Sequence, residues 1–416
     1  MNSHTSCSLL MDQMLPKQRE AFEGAIDNQI YLITGPGGTG KTYVIKQLVE
    51  YFLSQEMNII LAAPTGKAAK RMEQVSHHPA VTIHRLLGYN GSMFKRNKED
   101  PINIDVLIID EISMLDIVLG YHLFKAIDFT KTKLIFAGDH HQLPPVGPGN
   151  ILRDILSTKI IPFTILDQVV RQAGALRKNS LEILNGKMVG LNKADPESTD
   201  WILITSFSEQ NEILQYLVHL YENILYDQLG YDLLRDVQVL APQKNGLLGI
   251  INLNKQIQQV VQKKVFNKTI DLVDDNKQII LYPGDKVIQT KNNYDLDIMN
   301  GHIGYVIEND PISRTHVIEF EDRGKVTLGN DQKKDILPAY SITTHRSQGS
   351  EYPCVINIIH SSHRFMLNRQ LLYTSVTRAQ KKNIIIGDKK GIRHGIKNQQ
   401  LYKRRTFLSF PDGIIG

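Results

Sequence analysis

Cysteine is nearly absent from this 416-residue sequence, which holds only Cys7 and Cys354. Two distant thiols exclude a disulfide framework and offer none of the spacings of a zinc site. Histidine is more plentiful at fourteen, but His77 and His78, like His140 and His141, are chain neighbours. Adjacent side chains rarely converge on one ion, so no histidine metal site is expected. The longest apolar runs, such as 355–359, have strand length and fall far short of the roughly twenty residues of a membrane span. Residues 1–14 lack the basic start and apolar core of an export signal. A cytoplasmic protein with no membrane partner is therefore expected. No fixed-period repeat or low-complexity tract stands out.

What is present is the composition of an ordinary globular protein, 42% hydrophobic and 22% charged. The chain is too long for one core, so two lobes with insertions are expected. A net charge of +5 and a pI near 8.9 permit nucleic-acid binding but suit a solvated basic surface equally well. The same choice stays open for the tail bearing Lys389, Lys390, Arg393, Lys397, Lys403, Arg404 and Arg405.

Five β-branched or leucine-rich runs, at 31–34, 58–62, 106–109, 133–137 and 163–166, predict parallel strands buried on both faces. Between the first two, Ile45, Leu48, Val49 and Phe52 form one stripe of an amphipathic helix. Alternating strands and helices predict a doubly wound α/β domain. A second series starts at 237–240 and resumes at 355–359 and 383–386. The stretch between, 244–335, has strand-like alternation at 286–290, 304–308 and 315–321, with turns at Pro283-Gly284, Asn300-Gly301 and Arg323-Gly324. It predicts an all-β insertion, a small barrel. A shorter insertion at 88–101 predicts a protruding hairpin or loop around Asn90-Gly91, with Lys95, Arg96 and Lys98.

Gly35-Pro36-Gly37-Gly38-Thr39-Gly40-Lys41-Thr42 fits the phosphate-loop pattern and sits between a predicted strand and helix, as that pattern requires. Its glycines admit backbone N–H groups to the phosphates, and the helix N-terminus adds a favourable dipole. Lys41 is the expected partner of the β and γ phosphates, and Thr42 of Mg²⁺. The apolar strand 106–109 ends in Asp110-Glu111, placing one carboxylate near the metal and a second where it orients an attacking water. ATP with Mg²⁺ is the expected ligand. Phosphoryl transfer also needs cations that arrive as the site closes.

The remaining blocks occur in the order of the RecD and Dda branch of superfamily 1 DNA helicases, which the chain resembles from about Leu15 to Gly387. The resemblance implies that Gln18, in Leu15-Pro16-Lys17-Gln18, reads the adenine edge. It implies DNA contacts from Pro64, Thr65 and Lys67, and from Thr82, His84 and Arg85. Gly138-Asp139-His140-His141-Gln142 resembles the block in which a glutamine, here Gln142, senses the γ-phosphate. Val170-Arg171-Gln172 resembles the block of a first arginine finger, Arg171. In the run from Ala339 to Glu351, Thr344 and His345 would approach DNA, while Gln348, Gly349 and Glu351 line the nucleotide. The final block, Leu372 to Ala379, implies a second arginine, Arg378, at the γ-phosphate. The loop holding Asn293 resembles one near DNA. Segment 88–101 corresponds to the position of a strand-separating pin, with Phe94 and Tyr89 as its aromatics.

The implied fold is two RecA-like P-loop NTPase domains of the doubly wound α/β class, 1–160 and 161–243 plus 336–416. The first carries the 88–101 hairpin and the second the 244–335 barrel. The implied activity is ATP-driven translocation along single-stranded DNA, 5′ to 3′, with unwinding at single/double-strand junctions, by a monomer that works with replication or repair proteins. A translocase that strips proteins from DNA, and an ATP-dependent switch that binds a protein, are the competing expectations.

Overall fold

The computed structural model describes residues 13–168, 174–187, 200–272, 279–293, 295–310, 315–321 and 323–399. The chain divides into two compact units, one ending at Ala173 and one spanning Gly174–Gln399. Among the described residues no helix is long and apolar enough to cross a membrane.

The first unit is built on a six-stranded sheet in the order β3-β2-β4-β5-β1-β6. Its strands are β1 (Ile30–Thr34), β2 (Ile59–Ala63), β3 (Ala80–Thr82), β4 (Val106–Ile109), β5 (Lys133–Gly138) and β6 (Phe163–Ile165). Every pairing is parallel. All four side chains of β4 are fully buried, each worth about 1.5–3 kcal/mol of gross hydrophobic stabilisation, because helices cover both faces. Helix α1 (Lys41–Ser54) turns Val44, Ile45, Leu48, Val49 and Phe52 inward, the expected stripe with one residue added. Strand β6 pairs with β1, so the first unit runs past 160, the boundary expected from sequence. The expectation missed β3, whose three residues are too few to show a period.

The second unit has a parallel sheet, order β14-β8-β15-β16-β7, from β7 (Trp201–Ile204), β8 (Val237–Ala241), β14 (Ser341–Thr343), β15 (Tyr352–Ile359) and β16 (Ala379–Gly387). A separate five-stranded sheet, order β12-β11-β10-β9-β13, is antiparallel throughout. It comprises β9 (Lys286–Gln289), β10 (Ile303–Asp310), β11 (Thr315–Phe320), β12 (Gly324–Leu328) and β13 (Ile336–Pro338). Leu281, Val287, Ile298, Val306, Ile318, Phe320 and Leu328 fill its core.

The inserted segment is not all-β. Its first part is the 17-residue helix α2 (Ile250–Phe266), with Ile250, Leu253, Ile257, Val260 and Val261 buried. Those positions recur at three and four residues, the helical period, and pack onto the parallel-sheet core. The 88–101 segment contains no strand either. Asx turns shape it instead: Asn90 Oδ1 accepts from Ser92 N and Met93 N, and Asn97 Oδ1 from Glu99 N and Asp100 N.

One buried carboxylate joins the antiparallel sheet to the rest of the second unit. Asp285, fully buried, accepts from Gln258 Nε2 (2.6 Å), Gln262 Nε2 (2.9 Å), Tyr282 N (2.7 Å) and Tyr340 Oη (2.8 Å). Burial pushes its pKa up, while the four donors oppose that shift. Removing the carboxylate would leave Tyr282 N and Tyr340 Oη without this acceptor and the Gln258 and Gln262 amides with only the carbonyls of Ile280 and Pro283. Asp285→Ala is expected to destabilise this junction by about 3–5 kcal/mol, read as faster amide hydrogen exchange along α2. Unchanged exchange there would show that the hub is dispensable.

Candidate functional site

In the first unit, β5 lies between β1 and β4. The strands are parallel, so their C-terminal ends emerge on one side of the sheet, where ligands bind in doubly wound folds. That side receives the phosphate loop after β1, Asp110-Glu111 after β4 and the Asp139–Gln142 block after β5.

The loop turns into α1 through Gly40, which caps the helix with a left-handed backbone (φ 88°). The left-handed φ is what calls for glycine there, and a Cβ would also push aside the Gln18 amide. Lys41 Nζ donates to the carbonyls of Gly35 (2.7 Å) and Pro36 (3.0 Å), which holds the ammonium across the mouth of the loop. Thr39 Oγ1 donates to Pro36 O at 2.9 Å. Gln18 is buried; its Nε2 donates to Thr39 O (3.0 Å) and its Oε1 accepts from Leu15 N (3.1 Å). The glutamine expected to read a base therefore also staples its own helix to the phosphate loop.

Glu111 has a left-handed backbone (φ 55°), a sparsely populated region for a non-glycine residue. The sharp turn separates its side chain from that of Asp110, whose Oδ1 accepts from Glu111 N at 2.8 Å. Beyond β5, Asp139 is fully buried and its Oδ1 accepts from His141 N (2.9 Å). Gln142 is buried, with Nε2 directed at Asp139 Oδ2 over 3.4 Å.

Sequence reasoning passed over Thr34 and gave His140 no role. Thr34 Oγ1 donates to Gly138 O (3.0 Å) and lies 2.9 Å from His140 Nδ1, tying the ends of β1 and β5 together. Burial, and secondarily the neighbouring His141, push the His140 pKa down to about 4. His140 is thus neutral at physiological pH and adds no cation beside Lys41. A threonine immediately before the phosphate loop was the available signal.

In the second unit, Thr343 accepts from Arg346 N and caps the 3₁₀ turn Thr344–Ser347, which delivers the buried Gln348 and then Gly349 (φ 74°). Arg378, only 3% exposed, donates through Nε to Thr374 O (3.0 Å) and through Nη1 to Ser350 O (3.2 Å). Two blocks 28 residues apart are thereby joined. Glu351 accepts from Gln380 Nε2 at 3.4 Å. Arg171, the other expected finger, lies outside the described residues.

The residues expected at DNA are placed unevenly. Thr65 and Thr82 cap helices, accepting from Ala68 N and Arg85 N. Pro64 and Lys67 are partly exposed beside Thr65, and Arg85 is exposed. Lys67, Lys70 and Arg71 share one face of the helix Gly66–Ser76 at i, i+3 and i+4, a basic stripe of which the sequence reading took only the first member. Thr344 is buried, His345 is partly exposed, and Asn293 Oδ1 is used within its own loop by Leu296 N.

His84 lies in an aromatic cluster, its ring 5.5 Å from Tyr89 and 5.9 Å from Phe94. Burial lowers its pKa, opposed by Asp116, which disfavours the charged imidazolium and leaves a single ring N–H as donor. Phe94 packs on His122 at 4.4 Å and on Tyr89 at 4.7 Å. It therefore anchors the 88–101 loop and is not a free wedge. The exposed apolar residue at that tip is Met93, at 65%.

Three family models match the chain in sequence order: an AAA domain over 18–148, the SH3 domain of ATP-dependent RecD-like DNA helicases over 253–320, and a UvrD-like helicase C-terminal domain over 338–386. The ATP-dependent RecD2 DNA helicase of Deinococcus radiodurans is 31% identical over 88% of this chain and 48% of its own length. The RecBCD enzyme subunit RecD of Buchnera aphidicola is 28% identical over 87% of this chain and 71% of its own. The chain thus spans about half of the first relative. Among solved structures, a Pif1 helicase from Bacteroides aligns with a TM-score of 0.56 and 18% identity, over 94% of this chain and 95% of that one. A pair of Pif1 helicases at forked DNA aligns at 0.54 and 19%, with the same coverage. The fold is theirs at that distance, and in domain content, domain order and sequence the chain is similar to RecD-like DNA helicases.

Proposed function

We propose that this chain is an ATP-driven motor on single-stranded DNA that travels 5′ to 3′ and opens duplex at single/double-strand junctions. The observation that carries the proposal is that each unit gathers its phosphate-directed groups at one place. The first brings the 35–42 loop, Asp110, Glu111 and Gln142 to one sheet end. The second ties Arg378 to the segment holding Gln348 and Gly349.

In this reading Lys41 holds the β and γ phosphates, Glu111 orients the attacking water, and Gln142, Gln348 and Arg378 contact the γ-phosphate. Among the described residues no three acidic, histidine or cysteine side chains cluster to hold a metal. A Mg²⁺ that binds with the nucleotide would take its protein oxygens from Thr42 and Asp110. When bound, the ion would neutralise charge between the β and γ phosphates. A triphosphate that binds one state of the chain better than another shifts the population toward it, and hydrolysis reverses that shift. Alternating grip on DNA would turn each cycle into a step. Lys67, Lys70 and Arg71 suit a phosphate track, which ignores sequence.

ATP hydrolysis with and without single-stranded DNA tests the motor, and duplexes bearing 5′ or 3′ tails test direction. Hydrolysis indifferent to DNA would favour the protein-binding switch. A second reading, a translocase that displaces proteins but unwinds poorly, draws support from the anchoring of Phe94. Shortening 88–101 to a tight turn is expected to spare ATPase and to lower fork unwinding about 10-fold if Met93 is the wedge. Equal unwinding, with streptavidin displacement intact, would favour the translocase.

A further inference from the structure

A small cavity of about 10 Å³ lies beside the turn that follows Glu111, its wall mixing apolar residues such as Leu143, Pro144 and Leu152 with polar ones that include Ser113 and Gln142. That volume is about one water. Two atoms of its lining residues have no hydrogen-bond partner: Ser113 Oγ and Gln142 Oε1. Both residues are at least nine-tenths buried, at 4% and 5% exposure. Native proteins rarely leave such atoms unsatisfied, and a bridging water is the usual remedy where the residues bearing them line a cavity of this size.

The two residues stand at opposite sides of one mechanical contact. Ser113 belongs to the 3₁₀ turn Ile112–Met114, immediately after Glu111. Gln142 follows the end of β5, and the anchor of its side chain is long, a 3.4 Å approach of Nε2 to Asp139 Oδ2. The turn lies directly on that strand end. A Cβ on Gly138 would come within 2.8 Å of Ile112 Cγ2 and 3.3 Å of Ser113 N. Backbone contact therefore fixes the spacing of the two segments, but leaves the rotation of the Gln142 amide weakly determined.

We propose that one buried water bridges Ser113 Oγ and Gln142 Oε1, making Ser113 a positioning residue that orients the Gln142 amide relative to the Glu111 turn. The water donates to the amide carbonyl and uses its oxygen or second proton at the serine hydroxyl. The Gln142 Nε2 group is then held in one orientation, and any displacement of Gln142 by the nucleotide is felt at the turn bearing Glu111. The functional consequence rests on the reading of Gln142 and Glu111 as parts of an ATPase site; the bridge itself does not.

A high-resolution crystal structure of the full chain tests the bridge. A solvent peak about 2.7–3.2 Å from both atoms is expected. The two side chains bonded directly to each other, or to other groups with no solvent between, would overturn it. A double-mutant cycle on ATP turnover with single-stranded DNA present tests the positioning role. Ser113→Ala is expected to lower kcat by roughly 3- to 30-fold with little change in KM, and to cost nothing further when Gln142 is already alanine. Effects that multiply would assign Ser113 a role independent of Gln142 and overturn the positioning. If the unaltered chain hydrolyses no ATP, the ATPase reading fails, and the solvent peak still decides the bridge.

Discussion

Lys41→Ala is expected to lower ATP turnover by at least about 10³-fold while leaving nucleotide-free binding of single-stranded DNA unchanged. The ammonium rests on the carbonyls of Gly35 and Pro36 and is only partly buried, so its removal strands no deeply buried charge. Its loss instead removes the one cation of the phosphate loop. His140, with its pKa near 4, cannot substitute for it. Charge stabilisation by such a group is commonly worth several kcal/mol in the transition state. Steady-state hydrolysis and fluorescence anisotropy with labelled oligonucleotide measure the two quantities. Retained turnover would remove the phosphate-loop assignment. Weakened DNA binding would mean that Lys41 serves the track as well.

The second large effect is expected at Arg378, and here catalysis and stability are entangled. Replacing it by alanine should slow hydrolysis by about 10³-fold, the scale of a lost arginine finger. The same change uncovers the Ser350 carbonyl, which Arg378 now satisfies, at about 1–3 kcal/mol for a buried acceptor, whereas Thr374 O keeps the hydroxyl of Thr377. Arg378→Lys separates the two contributions. A lysine keeps the charge but cannot reproduce the planar fork that bonds two carbonyls and still has N–H groups to offer. Slow hydrolysis in a lysine variant whose hydrogen exchange resembles that of the unaltered protein would place the effect at the phosphate. A normal rate in either variant would make Arg378 a structural staple between its two blocks.

The first unit's sheet was largely legible because its central strands are fully buried. Burial on both faces demands continuous apolar runs, and 106–109 or 133–137 can hardly be anything else. The short strand Ala80–Thr82 had no such signature, since its three residues are all partly exposed. Helix α2 was overlooked because the turn signals around it suggested a β region, although its buried residues keep a helical spacing. The glycines and Lys41 could be placed from chain order alone, since their chemistry is local. The roles of Thr34 and Ser113 could not, because each depends on a segment brought close only by the order of β1, β5 and β4. Phe94 is the instructive case. An aromatic in an exposed-looking insertion suggests a wedge, and only the approach of His84 and His122 reveals an anchor.

Asp285 gives the inserted antiparallel sheet a definite mechanical character. With its two oxygens committed to α2, to the 282–285 turn and to Tyr340 at the threshold of β14, the sheet is braced against hinging at that junction. It should travel as a rigid outrigger of the second unit, carrying the 291–300 loop at a fixed radius. A dye on that loop would then amplify small rotations of the whole unit into a readable displacement, much as a long pointer magnifies the turning of its axle.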